Sequence, residues 1–530
     1  MLRISGITMT PGQDDHAASL LALKRLGLLE SDVLSWRIVK KSLDARKKAD
    51  ICFHYTLDIS YKGDERALLR QIKPKDTVIR QEPAVFMVQR PQRTCPVIIA
   101  GAGPCGLAAA LYLAKAGLQP TILERGELVD DRLRSISRFF TDGILDPESN
   151  VQFGEGGAGA FSDGKLTTGI KDPLCQIILE TLHAHGAPDD VLYLSHPHLG
   201  TDRLPGIIKS ISREIKQEGG TLLPRSRLSG LVMRDGRLVA VRYVADGMEQ
   251  EITASRLILA LGHSARDTQR MLYSAGLLMA QKPFSIGLRI EHKQQMIDTA
   301  QYGAFAVKGL LPPATYQLSM KARDGRGVYT FCMCPGGRVI AAASEPGCLC
   351  TNGMSTYARN GVNANAALLV DVRPDDYNQG GVLDGFAYQQ RYEQEAYVAG
   401  GGRYVAPAQR VEDFLVNRPS KHLGDIAPSY LPGVAPGDLS PLLPVHAVSG
   451  IREAIRVFNC KLSGFANPDA VLIGVETRSS SPVRVLRDNQ REANIKGIYP
   501  AGEGAGYAGG IMSAAVDGIR SAIAVVQSLD

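Results

Sequence analysis

The 530-residue chain contains no apolar run near the ~18 residues that a membrane-spanning helix needs, so no membrane association is expected. Its first fifteen residues lack a basic stretch followed by an apolar one, and acids stand early at Asp14 and Asp15. Neither export nor organelle import is expected. Nine cysteines do not make a disulfide framework in a chain of this length, and a reducing cytoplasm is the simpler setting. None of them shows the two-residue gap usual in zinc sites, so no metal is expected. Nor is there an internal repeat or a low-complexity tract.

What is present is an ordinary hydrophobic content of 44%, 55 glycines, and a length that calls for two or three domains. The net charge of +6 is unevenly placed: residues 1–95 hold 17 Lys and Arg against 11 Asp and Glu, and the remainder balances. That asymmetry marks a separate N-terminal module over 1–90. Its strand–helix–strand–strand–helix–strand pattern (Arg3–Met9, Ala17–Leu26, Ser35–Leu43, Ile51–Ser60, Glu65–Ile72, and an extended Thr77–Val88 with one proline) predicts a ferredoxin-like α+β sandwich. Its basic stretch over 37–48 is a candidate nucleic-acid contact, although Phe53 and Tyr55 read equally as core.

From Pro96 the pattern changes. Val97–Ala100 is wholly apolar, as suits a parallel strand buried on both faces. Gly101-Ala-Gly103-Pro104-Cys105-Gly106 follows, then a helix to Ala116 and a second strand ending at Glu124. This is the dinucleotide fingerprint in its full context. Gly101 permits the tight turn, Gly103 lets backbone approach a pyrophosphate, and Gly106 lets helix pack on strand. The helix start offers free N–H groups to phosphates, Glu124 offers acceptors to ribose hydroxyls, and Arg125 adjoins it. Leu257–Leu261 is a further apolar strand ending at Gly262, and Gly497–Pro500 leads into a glycine-dense turn and a final helix.

The turn, the strand Leu257–Gly262 and Tyr499-Pro-Ala-Gly502-Glu503-Gly resemble the glutathione-reductase-type FAD/NAD(P)-binding superfamily. More closely, the chain resembles the bacterial and plastid flavoproteins termed uncharacterised FAD-dependent dehydrogenases. The segments 149–159, 262–267, 331–337, 474–478 and 501–510 carry that likeness, which extends over essentially the whole chain. It implies bound FAD and no particular substrate. Where the superfamily usually has Asp after this glycine, this chain has Glu503, still an acceptor but one methylene longer. Gly509, Gly510 and Ile511 begin the last helix, whose N-terminus points at the flavin in proteins of this type and favours the anionic reduced form.

Gly154-Glu-Gly156-Gly157-Ala158-Gly159 is too glycine-rich for a helix or strand and is expected beside the cofactor, with Lys165 compensating flavin or phosphate charge. His263 and Tyr507 are the candidate catalytic residues, His263 as a proton donor. Asp267, His292, Arg266, Arg289 and Arg478 are further polar groups to inspect. Cys332-x-Cys334 and Cys348-x-Cys350 are spaced by one residue; a bond across one residue closes a strained ring, so both pairs read as core or surface thiols.

The expected architecture is α/β: a Rossmann-like FAD-binding domain of glutathione-reductase type (96–266 and 466–530), an inserted mixed α+β substrate or cap domain (267–465), and the ferredoxin-like module. The expected function is an FAD-dependent oxidoreductase moving two electrons between small-molecule donor and acceptor. NAD(P)H is a candidate donor that docks at the flavin, since no second glycine fingerprint is present. The alternatives are a reductase of a polyene or lipid-like substrate and an FAD-stabilised RNA- or protein-binding factor.

Overall fold

The computed structural model describes residues 1–72, 76–80 and 86–530. The N-terminal module contains β1 (Leu2–Met9), α1 (Asp15–Leu26), β2 (Val33–Asp44), β3 (Cys52–Tyr61), α2 (Glu65–Ile72) and β4 (Thr77–Ile79). Its sheet has the order β2-β3-β1-β4 with every pairing antiparallel. Alternate residues Leu2, Ile4, Ile7, Leu57 and Ile59 form its core with Ala18, Ala22 and Leu26 of α1. Asp14 caps α1 through the Ala17 N–H, and Gly27 ends it in the left-handed region. The rest of the expected extended segment, 81–85 with its proline, lies outside the described residues.

The basic stretch is less free than its composition suggests. Arg37 pairs with Asp58, Lys41 with Asp15 and Arg46 with Asp44. Tyr55 is buried, and the Lys41 ammonium lies over its ring and that of Phe53. The Lys41 backbone also exchanges hydrogen bonds with Tyr193 and Ser195, which ties the module to the following domain.

That domain begins with β5 (Val97–Ala100), α3 (Pro104–Lys115) and β6 (Thr121–Leu123), continues through α4 (Val129–Asp142), α5 (Leu174–Ala184), α6 (Gly200–Gln217) and β7 (Thr221–Leu223), and adds a meander, β8 (Ser226–Arg234), β9 (Arg237–Ala245) and β10 (Met248–Thr253). The chain then enters β11 (Arg256–Leu259) and α7 (Arg266–Ser274). The apolar stripe Leu204, Ile207, Ile208, Ile211 and Ile215 of α6 packs into the same core as α3 and α5.

The next elements are β12 (Met279–Gln281), β13 (Phe284–Lys293), α8 (Gln294–Tyr302), β14 (Ser319–Lys321), β15 (Gly327–Cys334), β16 (Arg338–Ala341), β17 (Thr351–Met354), β18 (Asn363–Val372), α9 (Asp384–Ala399), β19 (Ala406–Arg410), α10 (Val411–Leu415), β20 (Val434–Pro436), α11 (Val445–Lys461), β21 (Val471–Glu476) and β22 (Val483–Val485). Seven of these strands form one sheet, β14-β15-β18-β13-β21-β19-β20. Its two faces differ. Ile286, Leu288, Ile290, Ala366, Leu368 and Val370 make an apolar face on which α11 lies, with Gly450 against Val328 and Val370. Cross-strand partners on the other face include Arg289, Glu291, Asn363, Asn365 and Cys334.

This sheet corrects the expected return to the nucleotide-binding domain at 466. β21 hydrogen-bonds to β13 and β19, so residues 471–476 belong to the insert. Its continuous apolar run resembles a parallel strand because both its faces are buried. At the other end, 267–281 packs against the β8–β9 meander through Leu272, Leu277 and Met279 rather than joining the insert. β12 and β22 pair antiparallel where the chain enters and leaves.

The chain closes with β23 (Ile498–Pro500) and α12 (Ile511–Gln527). The completed parallel sheet has the order β23-β11-β5-β6-β7, a Rossmann-like arrangement whose connections reverse direction between β5 and β11. Among the described residues no helix is long and apolar enough to cross a membrane.

His292, considered above as a functional polar group, sits on the apolar face of the insert. Its Nε2 lies 2.8 Å from the Phe465 carbonyl oxygen, and burial lowers its imidazole to about 4. A histidine lowered in the fold is protonated more readily in the unfolded chain, so stability is lost as pH falls from about 6.5 towards 4. Between pH 7 and pH 5 the protein should lose about 2 kcal/mol more than His292→Gln does. Urea unfolding midpoints at the two pH values check this; parallel losses would overturn it.

Candidate functional site

Three adjacent parallel strands, β23, β11 and β5, each end in glycine-containing turns on the same edge of the sheet. Ligands of open α/β sheets bind beyond this edge, where the connections reverse. The first turn is built by packing. Gly101 has φ +105°, and a Cβ there would strike the Ala260 carbonyl; one at Gly106 would strike the Gly101 carbonyl. Gly103, the N-cap of α3, is different: a Cβ there would meet only the Gly157 Cα, at 3.8 Å. Pro104 occupies the first helical position, where its missing N–H costs nothing. Cys105 is buried against Gly502 and Gly518, and burial raises its thiol well above the ordinary range.

Glu124 has a role beyond the expected one. Its carboxylate accepts from the N–H groups of Ala102 at 2.7 Å, Gly126 at 2.9 Å and Gly154 at 2.9 Å. These use three of its roughly four acceptor positions. Glu124 is thus a clasp between the first turn and the Gly154 loop. Arg125 beside it is held by Glu148 at 3.0 Å and Asp267 at 2.9 Å, with its guanidinium over the Phe153 ring.

The Gly154–Gly159 segment packs directly on that turn. The Gly156 N–H donates to the Ala102 carbonyl at 2.8 Å, Gly157 lies against Gly103, and Gly159 lies under Pro104 and Ile511. Ala158 starts a single 3-10 turn, Ala158–Phe161. A residue not singled out from the sequence holds this loop. Arg132 of α4 is fully buried and donates to the carbonyls of Asn150, Val151, Gly154 and Glu155 at 2.7–3.2 Å. Burial lowers it to about 10.

Lys165 is held within the protein. Its ammonium donates to the Met333 carbonyl and stands 3.5 Å from Asp163, so it joins this domain to the end of β15. Asp163 in turn holds Ser355 and Arg359.

At the third strand end, Asp517 of α12 accepts from the Gly502 N–H at 2.7 Å and pairs with Arg487 and Arg491. Glu503 faces His263 instead, with Oε1 3.1 Å from Nδ1. His263 Nε2 is buried and lacks a partner among the described residues. Tyr507 is packed under the Arg487 guanidinium, 3.6 Å from its ring, and its N–H donates to the Gly502 carbonyl. Gly262, Gly509 and Gly510 have open space where a side chain would project, and Gly510 has φ +90° at the start of α12.

Arg266 and Arg478 both close on Glu393, and Arg289 lies in the buried polar face of the insert. Among the described residues Glu345, Cys348 and Glu393 are the one group near enough to share a metal. Both Glu393 oxygens are already taken by the two guanidinium groups, which leaves no acceptor free for a cation.

The open cradle over Gly103, Gly262, Gly509 and Gly510, the unpartnered His263 nitrogen and the backbone donors at two helix starts fit an FAD molecule. Comparisons with known proteins agree. Residues 94–135 match an FAD binding domain, 283–479 match the C-terminal domain-like region of FAD-dependent proteins, and 1–60 match a domain of unknown function. An uncharacterized protein of Clostridium beijerinckii is 44% identical over 534 residues, covering 100% of this chain and 99% of the relative. Solved structures are more distant. The glycerol-3-phosphate dehydrogenase of Bacillus halodurans complexed with FAD is 11% identical, with a TM-score of 0.37 over 83% of this chain and 65% of that one. The 3-ketosteroid-delta4-(5alpha)-dehydrogenase of Rhodococcus jostii is 14% identical, with a TM-score of 0.35 over 85% and 99%. Likeness at that level says nothing of substrate. From its full-length relative and the two FAD-family matches, the chain belongs to a family of FAD-dependent proteins, with FAD as its cofactor.

Proposed function

We propose a dehydrogenase or reductase that moves two electrons between a small-molecule donor and a small-molecule acceptor through non-covalently bound FAD. The observation that carries this is the convergence of three glycine-bearing strand ends around open space. In this reading Gly101, Gly103, Pro104 and Gly106 hold the pyrophosphate, and Glu124 with Arg125 shapes the adenosine end. Gly154, Gly156, Gly157, Ala158 and Gly159, Gly262, Gly502, and Gly509 to Ile511 hold the flavin end. The strand order supports a glutathione-reductase-type domain, and the antiparallel β2-β3-β1-β4 order supports a ferredoxin-like N-terminal module. The insert then serves as the substrate or cap domain.

Bound FAD supplies a two-electron acceptor; the chain's residues supply position and proton control. Glu503 orients His263 through Nδ1, which leaves Nε2 to hold or deliver a proton beside the cleft. The α12 dipole favours negative charge at its N-terminus. Tyr507 is held by Arg487 and completes the wall on that side. NAD(P)H is the first donor to try, because its hydride could be delivered directly at the flavin without a second nucleotide domain.

The absorbance spectrum of the purified protein is the primary test. Flavin bands with one FAD per chain are expected, and colourless protein that stays apo when FAD is added would sink the proposal. Gly103→Val probes the placement, since its Cβ meets little protein and the backbone there is ordinary. Folding should be retained while FAD affinity falls ~100-fold, equivalent to about 3 kcal/mol. Unchanged affinity would move the pyrophosphate elsewhere. Arg132→Met leaves four carbonyls without their donor. It should cost about 3 kcal/mol in urea unfolding and accelerate FAD release, and unaltered release would separate the loop from the cofactor. For His263→Gln, stopped-flow flavin reduction should slow ~100-fold with FAD content preserved, whereas a wild-type rate would remove the histidine from proton transfer.

A further inference from the structure

A bulge in the insert brings two thiols together. Phe331 pairs with Ala367 and Cys334 with Asn365, so three steps along β15 match two along β18. The extra residue is accommodated with Cys332 at φ +44°, a left-handed conformation unusual outside glycine. In an uninterrupted strand, residues i and i+2 lie roughly 6.7 Å apart, at the outer edge of disulfide reach. Here the Cys334 thiol turns back and donates to the Cys332 carbonyl oxygen at 3.2 Å, which brings it onto its partner's residue.

Cations frame this pair. Lys165 donates to the carbonyl of Met333 between the two cysteines, and Arg289 Nη1 donates to the Cys332 carbonyl at 2.9 Å. The neighbouring Cys334 thiol, Lys165 and Arg289 hold the Cys332 thiol well below its ordinary value despite burial. Cys332 and burial raise Cys334. Nearby negative charge is restrained: Asp163 is bound by Arg359, and burial raises Glu476 to about 7 beside Arg289. At the other one-residue pair, burial and carboxylates outweigh the nearby Arg266 and Arg478. Burial and the neighbouring Glu393 and Glu345 raise Cys348 to about 12, and burial raises Cys350.

The bulge is also tied to the domain that carries the candidate flavin site. Lys165 and Asp163 lie just beyond the Gly154–Gly159 loop, and Ile340 and Ala342, following the bulge, pack in the core of the nucleotide-binding domain. A nucleophilic thiolate beside a resolving thiol is the arrangement of redox-active cysteines. A bond across one residue is strained, which makes it readily reduced.

We propose that Cys332 and Cys334 form a redox-active dithiol that exchanges two electrons with bound FAD; this rests on the FAD reading above. In the oxidative direction the Cys332 thiolate and the Cys334 thiol form one S–S bond. Two electrons and the Cys334 proton pass to FAD, giving the anionic reduced flavin FADH⁻, and no other reactant is needed. The reverse step consumes FADH⁻, breaks the S–S bond and returns the proton to Cys334.

Holoenzyme pre-oxidised with diamide and freed of excess reagent is titrated anaerobically with dithionite, with samples acid-quenched, alkylated and read by peptide mass. Wild type should take up four electrons per FAD, and a Cys332–Cys334 peptide 2 Da lighter than the dithiol should vanish as the flavin is reduced. Cys332→Ser and Cys334→Ser should take up two electrons with unchanged FAD content, and Cys348→Ser should still take up four. Two-electron uptake by wild type, or a disulfide that persists beside fully reduced flavin, would overturn the exchange. Protein without FAD would refute the cofactor reading instead, and there the absence of the lighter peptide would refute the pair on its own.

Discussion

Arg266 and Arg478 bind one carboxylate, Glu393, each with two hydrogen bonds of 2.7–3.0 Å, and all three side chains are buried. Arg266 begins α7 just after the β11 strand end, Arg478 follows β21, and Glu393 stands in α9. One planar, bidentate joint therefore sets the seven-stranded sheet against the parallel one. Glu345 also accepts from Arg266 and balances the second positive charge, while Thr477 donates to Glu393. The two guanidinium groups hold the Glu393 carboxyl far below the usual carboxylate range despite its burial. Such a network gives little net stability, because desolvation offsets the attraction, but losing one member strands a buried charge at about 3–5 kcal/mol. It fixes orientation more than it adds stability.

Orientation matters because the insert's two faces are not interchangeable. The face under α11 is apolar and closed. The other carries Arg289, Glu476, Asn365 and Cys334, with Asn352 of β17 accepting from Arg289 at 2.8 Å. A sheet with an interior of this polarity is stable only when its groups find partners. Several do so by reaching out of the sheet, Arg289 to Asn352 and the β15 bulge to Lys165. The same principle operates on the nucleotide-binding side, where Glu124 and Arg132 satisfy backbone groups of loops that lack secondary structure of their own.

The strands and turns nearest the cofactor were readable in the sequence because their requirements are local. Val97–Ala100, the Gly101–Gly106 turn and the Ile511 helix start each follow from apolar runs and glycine placement. The N-terminal elements were readable too, since both periodicities are clean there. What was not readable depends on partners distant in sequence. β21 was assigned to the wrong domain because a strand buried on both faces looks the same in either sheet. Lys165 reads as compensating flavin or phosphate charge, but nothing in the sequence points to its acceptor in the fold, the Met333 carbonyl 168 residues away. Glu503 reads in the sequence as an acceptor at this strand end, and only the fold shows that His263 faces it.

One part of the missing information was present in the helices. In α4 the buried positions Val129, Arg132, Ile136 and Phe139 recur at three- and four-residue spacing, and an arginine occupies one of them. In α9 the same spacing joins Phe386, Gln389, Glu393 and Ala396. A charge on the apolar stripe of a helix cannot reach water, so it must be paired or hydrogen-bonded within the fold. Arg132 meets four loop carbonyls and Glu393 meets two guanidinium groups. Asp517, inside the largely buried α12, meets Arg487, Arg491 and the Gly502 N–H. Stripe periodicity alone would therefore have marked Arg132 and Glu393 as organising residues before any partner was known. Which loop or strand each organises follows only from the fold, because the partners lie 18 to 127 residues away along the chain.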